Sequence, residues 1–152
     1  MRRQVVSIYI WKGKAYLPLQ GRFDSGIWTD LDPVYVSNLN EGEIVDAINK
    51  VLAAGHPRLP DPSKEEWQRR KDPVLAATKA SSWKALAREG ASYSLGWTHD
   101  QIRVDVSMLD KKGRWQFNPE KVRIFPIDAN LQLVVAPILE DIRARPELEQ
   151  TQ

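Results

Sequence analysis

Apolar residues recur at two different periods along this chain, and the switches between them mark its elements. Residues 4–10 carry Val5, Val6, Ile8, Tyr9 and Ile10, a β-branched run that predicts a strand. Residues 11–14 form a tight turn, with Gly13 free to take a positive φ. Residues 15–19 return as a second strand, and Pro18 marks it as an edge or an end. Two further strand pieces, 26–29 and 34–36, are interrupted at Asp32-Pro33. The first 37 residues are therefore expected to make a three-stranded antiparallel unit.

The period then becomes helical. Ile44, Val45, Ile48, Val51 and Leu52 fall on one stripe of a helix over 40–54. Asn40 is its N-cap, because the side-chain oxygen can accept a free backbone N–H of the first turn. Glu43 completes a capping box, and Leu39 with Ile44 makes a hydrophobic staple. Lys50 suits the C-terminal end of the helix dipole, and Gly55 suits the left-handed position beyond it. The apolar stripe needs a cover, and the strands on either side offer one.

Residues 55–63 carry three prolines and no period, which predicts a loop or extended strap. Short helix signals follow in series. Ser63 and Glu66 form a capping box for 64–71. Asp72 caps 74–79 with Pro73 at N1, where the missing N–H costs nothing. Ser81 or Ser82 caps 83–89, and Gly90 stops that helix. None is long enough to persist alone, so all must dock on the body.

Strict alternation returns at Ala91. Tyr93, Leu95 and Trp97 share one face, and Ile102, Val104, Val106 and Met108 alternate with Arg103, Asp105 and Ser107. Turns at 98–101 and 110–113 separate these from a strand bearing Trp115 and Phe117, and a last short strand spans 122–125. One wet face and one dry face is the antiparallel pattern. In the C-terminal segment Asp128 can cap a helix bearing Leu131, Val134, Val135, Ile138, Leu139 and Ile142, with Pro137 inside it. An interior proline costs about 3 kcal/mol or more unless packing offsets it. The alternative is an extended 131–135 followed by a helix that opens with Pro137. Continuity of the apolar spacing favours the kinked helix. Residues from Pro146 onward are expected to fray. The fold class is α+β: an antiparallel sheet of six or seven strands, with the 40–54 and C-terminal helices on one face and the short helices of 63–89 as a separate layer.

Length adds that 1–152 is one domain, large enough to bury roughly 68–70% of its unfolded surface without a staple or metal. There is no cysteine, which excludes disulfides, thiolate nucleophiles and Cys-based metal sites. Lys12 and Lys14 interrupt the apolar start, so it reads as neither signal peptide nor membrane span, and the cytoplasm is the default location.

A net charge of +2 excludes little, but its distribution is polarised. Six acids and no base lie between Phe23 and Asn49: Asp24, Asp30, Asp32, Glu41, Glu43 and Asp46. On a shared surface they would steer a basic partner into contact; otherwise they are solubilising charge around a helix N-terminus. Between Lys64 and Arg88 seven bases face three acids. There Trp67, Arg69, Arg70, Lys71 and Trp83 could contact single-stranded nucleic acid, or form short helices with tryptophans inward and cations in water. The overall charge is too balanced for a dedicated nucleic-acid binder.

Candidate chemistry is sparse. His56 and His99 sit in loops with no ligand-type spacing and read as solvated. Asp30 and Asp32 at i, i+2 on a strand could hold a divalent ion or do acid–base work, but no third group joins them. No Gly-rich phosphate loop, G-x-S-x-G or H-E-x-x-H occurs. A non-enzymatic protein without metal, cofactor or small-molecule substrate is expected.

The stretches 7–16 (SIYIWKGKAY), 71–75 (KDPVL), 82–88 (SWKALAR) with Ser92-Tyr93, and 109–114 (LDKKGR) together carry a family resemblance. The chain resembles the immunity proteins of bacterial contact-dependent growth inhibition systems, the CdiI type, over about residues 4–145. The resemblance implies a small cytoplasmic protein that binds the C-terminal toxin domain of a cell-surface effector and blocks it, with that toxin domain as its partner. It brings no binding residues with it. The acidic set 24–46 is taken as the toxin-binding candidate from charge alone.

Overall fold

The structure is a computed structural model and describes residues 3–150. β1 (Gln4–Trp11), β2 (Lys14–Phe23) and β3 (Trp28–Asn38) form the antiparallel unit that the alternation predicts. Lys12 and Gly13 both take positive φ, 47° and 79°, giving the β1–β2 turn the twist its strands need. β3 is one strand rather than two pieces. Its pairing with β2 shifts between Pro18 and Leu19, so Asp32 and Pro33 are accommodated as a bulge.

β4 (Arg58–Leu59) lies within the stretch read as a strap and pairs in parallel with β2. β5 (Ala91–Trp97) and β6 (Gln101–Leu109) extend the sheet beyond β1, and β7 (Trp115–Phe117) and β8 (Arg123–Pro126) both pair with β6. The order is β3-β2-β1-β5-β6-β7, eight strands in all, in an α+β fold.

One face of the sheet is covered by two helices. α1 (Glu41–Ala54) is capped by Asn40, whose side chain accepts from the Glu43 N–H. The Glu43 carboxylate reaches back to the backbone of Asn38 rather than Asn40, so the box closes two residues earlier than expected. Gly55 ends the helix at φ 77°, where its N–H donates to Leu52 O. α1 lays Ile44, Val45, Ile48 and Val51 on Val6, Ile8, Ile10, Leu17 and Leu95 of the sheet.

The chain continues through α2 (Lys64–Arg69), α3 (Pro73–Thr78) and α4 (Trp83–Glu89), and the second helix of this face is α5 (Leu131–Arg143). α5 is one helix with Pro137 inside. Its cap is Asn130 rather than Asp128, because the Asn130 side chain accepts the free N–H of Leu133. Packing against α1 and the sheet buries Val134, Val135, Ile138 and Ile142 and offsets the lost hydrogen bond. The expected fraying from Pro146 is not seen over 146–149; the last two residues, 151 and 152, lie outside the described residues. Pro146–Glu149 is a single 3-10 turn that buries Leu148 in the same core, and Leu148 O accepts from Gly13 N–H.

α3 and α4 cover part of the opposite face, where Trp11, Val74, Ala80 and Leu86 form a smaller cluster with Tyr9, Tyr16, Trp83 and Trp115. Asp72 joins these helices: one oxygen caps α3 and the other accepts from Trp83 Nε1 at 2.9 Å. α2 buries none of its side chains. Gly90 closes the α4–β5 corner, and a Cβ there would stand 2.3 Å from Ile10 O.

The sheet splays between β1 and β2. These strands pair only at Tyr9–Trp11 against Tyr16–Lys14, after which β2 follows β3 and β1 follows β5. His56 spans the opening. Its Nε2 accepts from Val5 N–H at 3.1 Å, and its Nδ1 lies 2.8 Å from Gln20 O. Both bonds together require the neutral tautomer with hydrogen on Nδ1. The solvated-loop reading of His56 is therefore corrected: the unpaired backbone groups of a splayed sheet needed a partner, and this ring supplies it.

Candidate partner-binding surface

The structure disperses the six acids of the 24–46 block. Asp24 lies at the β2–β3 turn, where it accepts from Arg58 Nε at 2.8 Å. Asp32 is exposed in the β3 bulge. Glu41 and Asp46 are exposed on α1. Glu43 is exposed but engaged, and the hydrogen bonds from Asn40 and then Asn38 hold its carboxyl below the ordinary value. Asp30 is drawn inward on the opposite face of the sheet from the α1 core. Its two oxygens accept from Gln20 Nε2 and from Tyr9 OH.

Asp30 and Asp32 thus occupy different environments despite their i, i+2 spacing, because the bulge follows Leu31. Burial pushes the Asp30 carboxyl above its ordinary value, against the hydrogen bonds from Gln20 and Tyr9. Burial, with Asp30 alongside, pushes the Tyr9 hydroxyl up as well. Among the described residues no group of three or more His, Cys, Asp or Glu is arranged to hold a metal ion. His99 is exposed and lies 3.8 Å from Asp100.

The basic and aromatic segment divides in two. Trp83 is half-buried in the second cluster, stacked obliquely against Tyr9 and Trp115. Trp67 is 49% exposed, with the Arg70 guanidinium 4.9 Å from its ring and Phe23 at its edge. Inward tryptophans and outward cations describe α4 but not α2.

Sequence reasoning missed a cavity of about 810 Å³ beside the strap. Its walls include Arg3, Arg22, Arg58, Trp28, Phe23 and His56. The arginines have no common spacing. They converge because Arg22 pairs across the strands with both Trp28 and Arg58, and because the splay opens next to Gln4 and His56. The only signal in the sequence was local: Arg22 and Trp28 flank a turn, and their side chains meet at 5.4 Å. A second groove shares Arg3 and Trp28 and runs past Asp30 to Arg70, Trp67 and Phe117.

Comparison with known proteins places the fold. No family model matches the sequence, and no curated protein matches it. Solved structures do match. A protein of unknown function from Neisseria meningitidis, NMB0488, superposes with a TM-score of 0.68 at 13% identity, over 93% of this chain and 95% of that one. A chain of the CdiA-CT/CdiI toxin and immunity complex from Yersinia pseudotuberculosis superposes with a TM-score of 0.66 at 12% identity, over 91% of this chain and 94% of that one. Over almost its whole length, the chain shares the fold of a chain from a toxin–immunity complex.

Proposed function

We propose that this protein is the immunity partner of a contact-dependent growth inhibition toxin. It binds the C-terminal toxin domain in the cytoplasm of the producing cell and acts by occlusion, without catalysis of its own. The observation that carries this reading is the end-to-end likeness to a chain of the Yersinia pseudotuberculosis toxin and immunity complex. The sequence resemblance to the CdiI type over residues 4–145 points the same way.

The toxin in this reading is a nuclease whose active site is covered. A nuclease carries a basic groove for its substrate, and acidic residues on an inhibitor complement it and speed encounter. Of the acidic set, Asp32, Glu41 and Asp46 are exposed, and no hydrogen bond or ion pair occupies their side chains among the described residues. They are the first candidates for contact. Asp24 and Glu43 are exposed but already paired, and Asp30 serves as an internal strut.

The test is calorimetry and a nuclease assay with the toxin domain encoded beside this gene. The expected result is a 1:1 complex in which nuclease activity is lost. Reversing Asp32, Glu41 and Asp46 together should weaken binding by about tenfold or more, mainly through a slower on-rate. Unchanged affinity would dismiss the acidic surface, and failure to bind that toxin domain at all would dismiss the immunity reading.

A further inference from the structure

The geometry points to a phosphate site in the cavity beside the strap: we propose that it binds a nucleoside 5′-phosphate, as a free nucleotide or as the phosphorylated end of a strand. Nothing in the immunity reading requires this site.

A volume of about 810 Å³ lies within the range of small-ligand sites, roughly 300–1,000 Å³. Three guanidinium-bearing side chains, Arg3, Arg22 and Arg58, line it against one carboxylate, Asp24. Guanidinium forks match phosphate oxygens bidentately. Two of the three make a surface hydrogen bond through Nε. Arg22 Nε donates to Gly26 O at 3.3 Å, and its guanidinium lies over the Trp28 ring at 5.4 Å. Arg58 Nε donates to Asp24 at 2.8 Å. Each keeps its terminal nitrogens as donors for a ligand.

His56 does not compete for the anion, because both its ring nitrogens are engaged with Val5 and Gln20. Aromatic and apolar side chains complete part of the wall: Trp28, Phe23 and Leu52. A flat, weakly polar group attached to the phosphate would lie against these side chains, and a nucleoside is such a group. A bare phosphate would leave that wall unused.

Calorimetry on the full chain with AMP, adenosine and inorganic phosphate tests the proposal. AMP should bind about tenfold more tightly than either control, because each lacks one half of the recognised group. Arg22→Ala should weaken AMP binding by about tenfold. Asp24→Asn should tighten it by a few-fold, since it removes the only carboxylate in the wall. A gain of affinity cannot arise from a damaged fold. Arg114→Ala, in the distant 110–114 turn, should leave it unchanged. No saturable binding of AMP at millimolar concentration would overturn the site. So would adenosine binding as tightly as AMP, or Arg22→Ala binding as tightly as the parent. A 5′-phosphorylated trinucleotide that outcompetes AMP assigns the ligand to a strand end, and equal affinity assigns it to the free nucleotide.

Discussion

The two faces of this sheet are built from the same strands and solve burial differently. The α1–α5 face is aliphatic and closed by two long helices and the Leu148 anchor. The opposite face is aromatic and polar, and the short helices α3 and α4 cover only part of it. Asp141 on the closed face is buried and Asp30 on the open face is half-buried, and the contrast between these two aspartates is instructive. Asp141 on α5 receives Tyr93 OH at 2.5 Å and Lys121 Nζ at 2.6 Å, with Arg145 alongside at 3.5 Å. Asp30 receives only the neutral donors Tyr9 and Gln20, with the Arg70 guanidinium on its backbone oxygen. Burial opposes charge at both sites. Cations overcome it at Asp141, whose carboxyl is held below the ordinary value, but burial prevails at Asp30. Asp141 therefore holds a charge for structure, whereas Asp30 sits among polar and aromatic groups near solvent.

Truncating the aliphatic core should give the largest effect. Ile48 and Leu86 are both fully buried, one under each face. Ile48→Ala should cost about 3–5 kcal/mol, because the surrounding sheet and α5 cannot collapse into the cavity. Leu86→Ala should cost about 2 kcal/mol, since a short docked helix can shift to fill the space. Urea denaturation measures both. Equal losses would break the comparison and mean that the two layers are equally close-packed. Hydrogen exchange sharpens it: amides of α3 and α4 should exchange through local opening, and those of β1 and β5 only through global unfolding.

The aspartates come next. Asp141 has a depressed folded pKa, so its stabilisation is present above the unfolded value of about 3.9 and is lost as pH falls through the folded value. Asp141→Asn should therefore cost about 1–3 kcal/mol near neutral pH and progressively less in acid. Asp30 has a raised folded pKa, so its contribution is present below about 3.9 and is lost as pH rises through the folded value. Asp30→Asn should gain on the parent protein as pH rises through that window. Thermal melts of both variants across the acid range are expected to show opposite slopes against the parent. Slopes of the same sign would show that the two sites do not differ in kind.

Much of this architecture was legible because it rests on local chemistry. The Asn40 cap, the Ser63–Glu66 box, the Asp72-Pro73 start and the alternation over 102–108 each specify their element within a few residues. What could not be read depends on distant chain. Leu148 looks like part of a polar tail until α5 brings it beneath the sheet. His56 looks solvated until β1 and β2 separate and leave Val5 N–H and Gln20 O without strand partners. Asp30 and Asp32 look paired until the bulge sends them apart. The arginines of the cavity come from β2, the strap and the N-terminus, and no spacing rule joins them. The acidic block was visible as composition, but composition does not say which carboxylates a fold will use internally.

The smallest effect tests how completely β3 satisfies its polar atoms. Thr29 neighbours Asp30 on β3 and is 6% exposed, and its hydroxyl has no hydrogen-bond partner among the described residues. A buried hydroxyl left unpaired costs roughly 1–3 kcal/mol of desolvation. Valine has nearly the same shape, lacks the hydroxyl and suits a strand equally well. Thr29→Val should therefore stabilise the protein by about 0.5–1.5 kcal/mol, read as a higher urea midpoint with an unchanged slope. Destabilisation would mean that the hydroxyl does have a partner, and the two sides of β3 would then be equally satisfied. Stabilisation would place a residual polar cost on the side of β3 turned away from Asp30, separate from the burial cost borne by Asp30 one residue away.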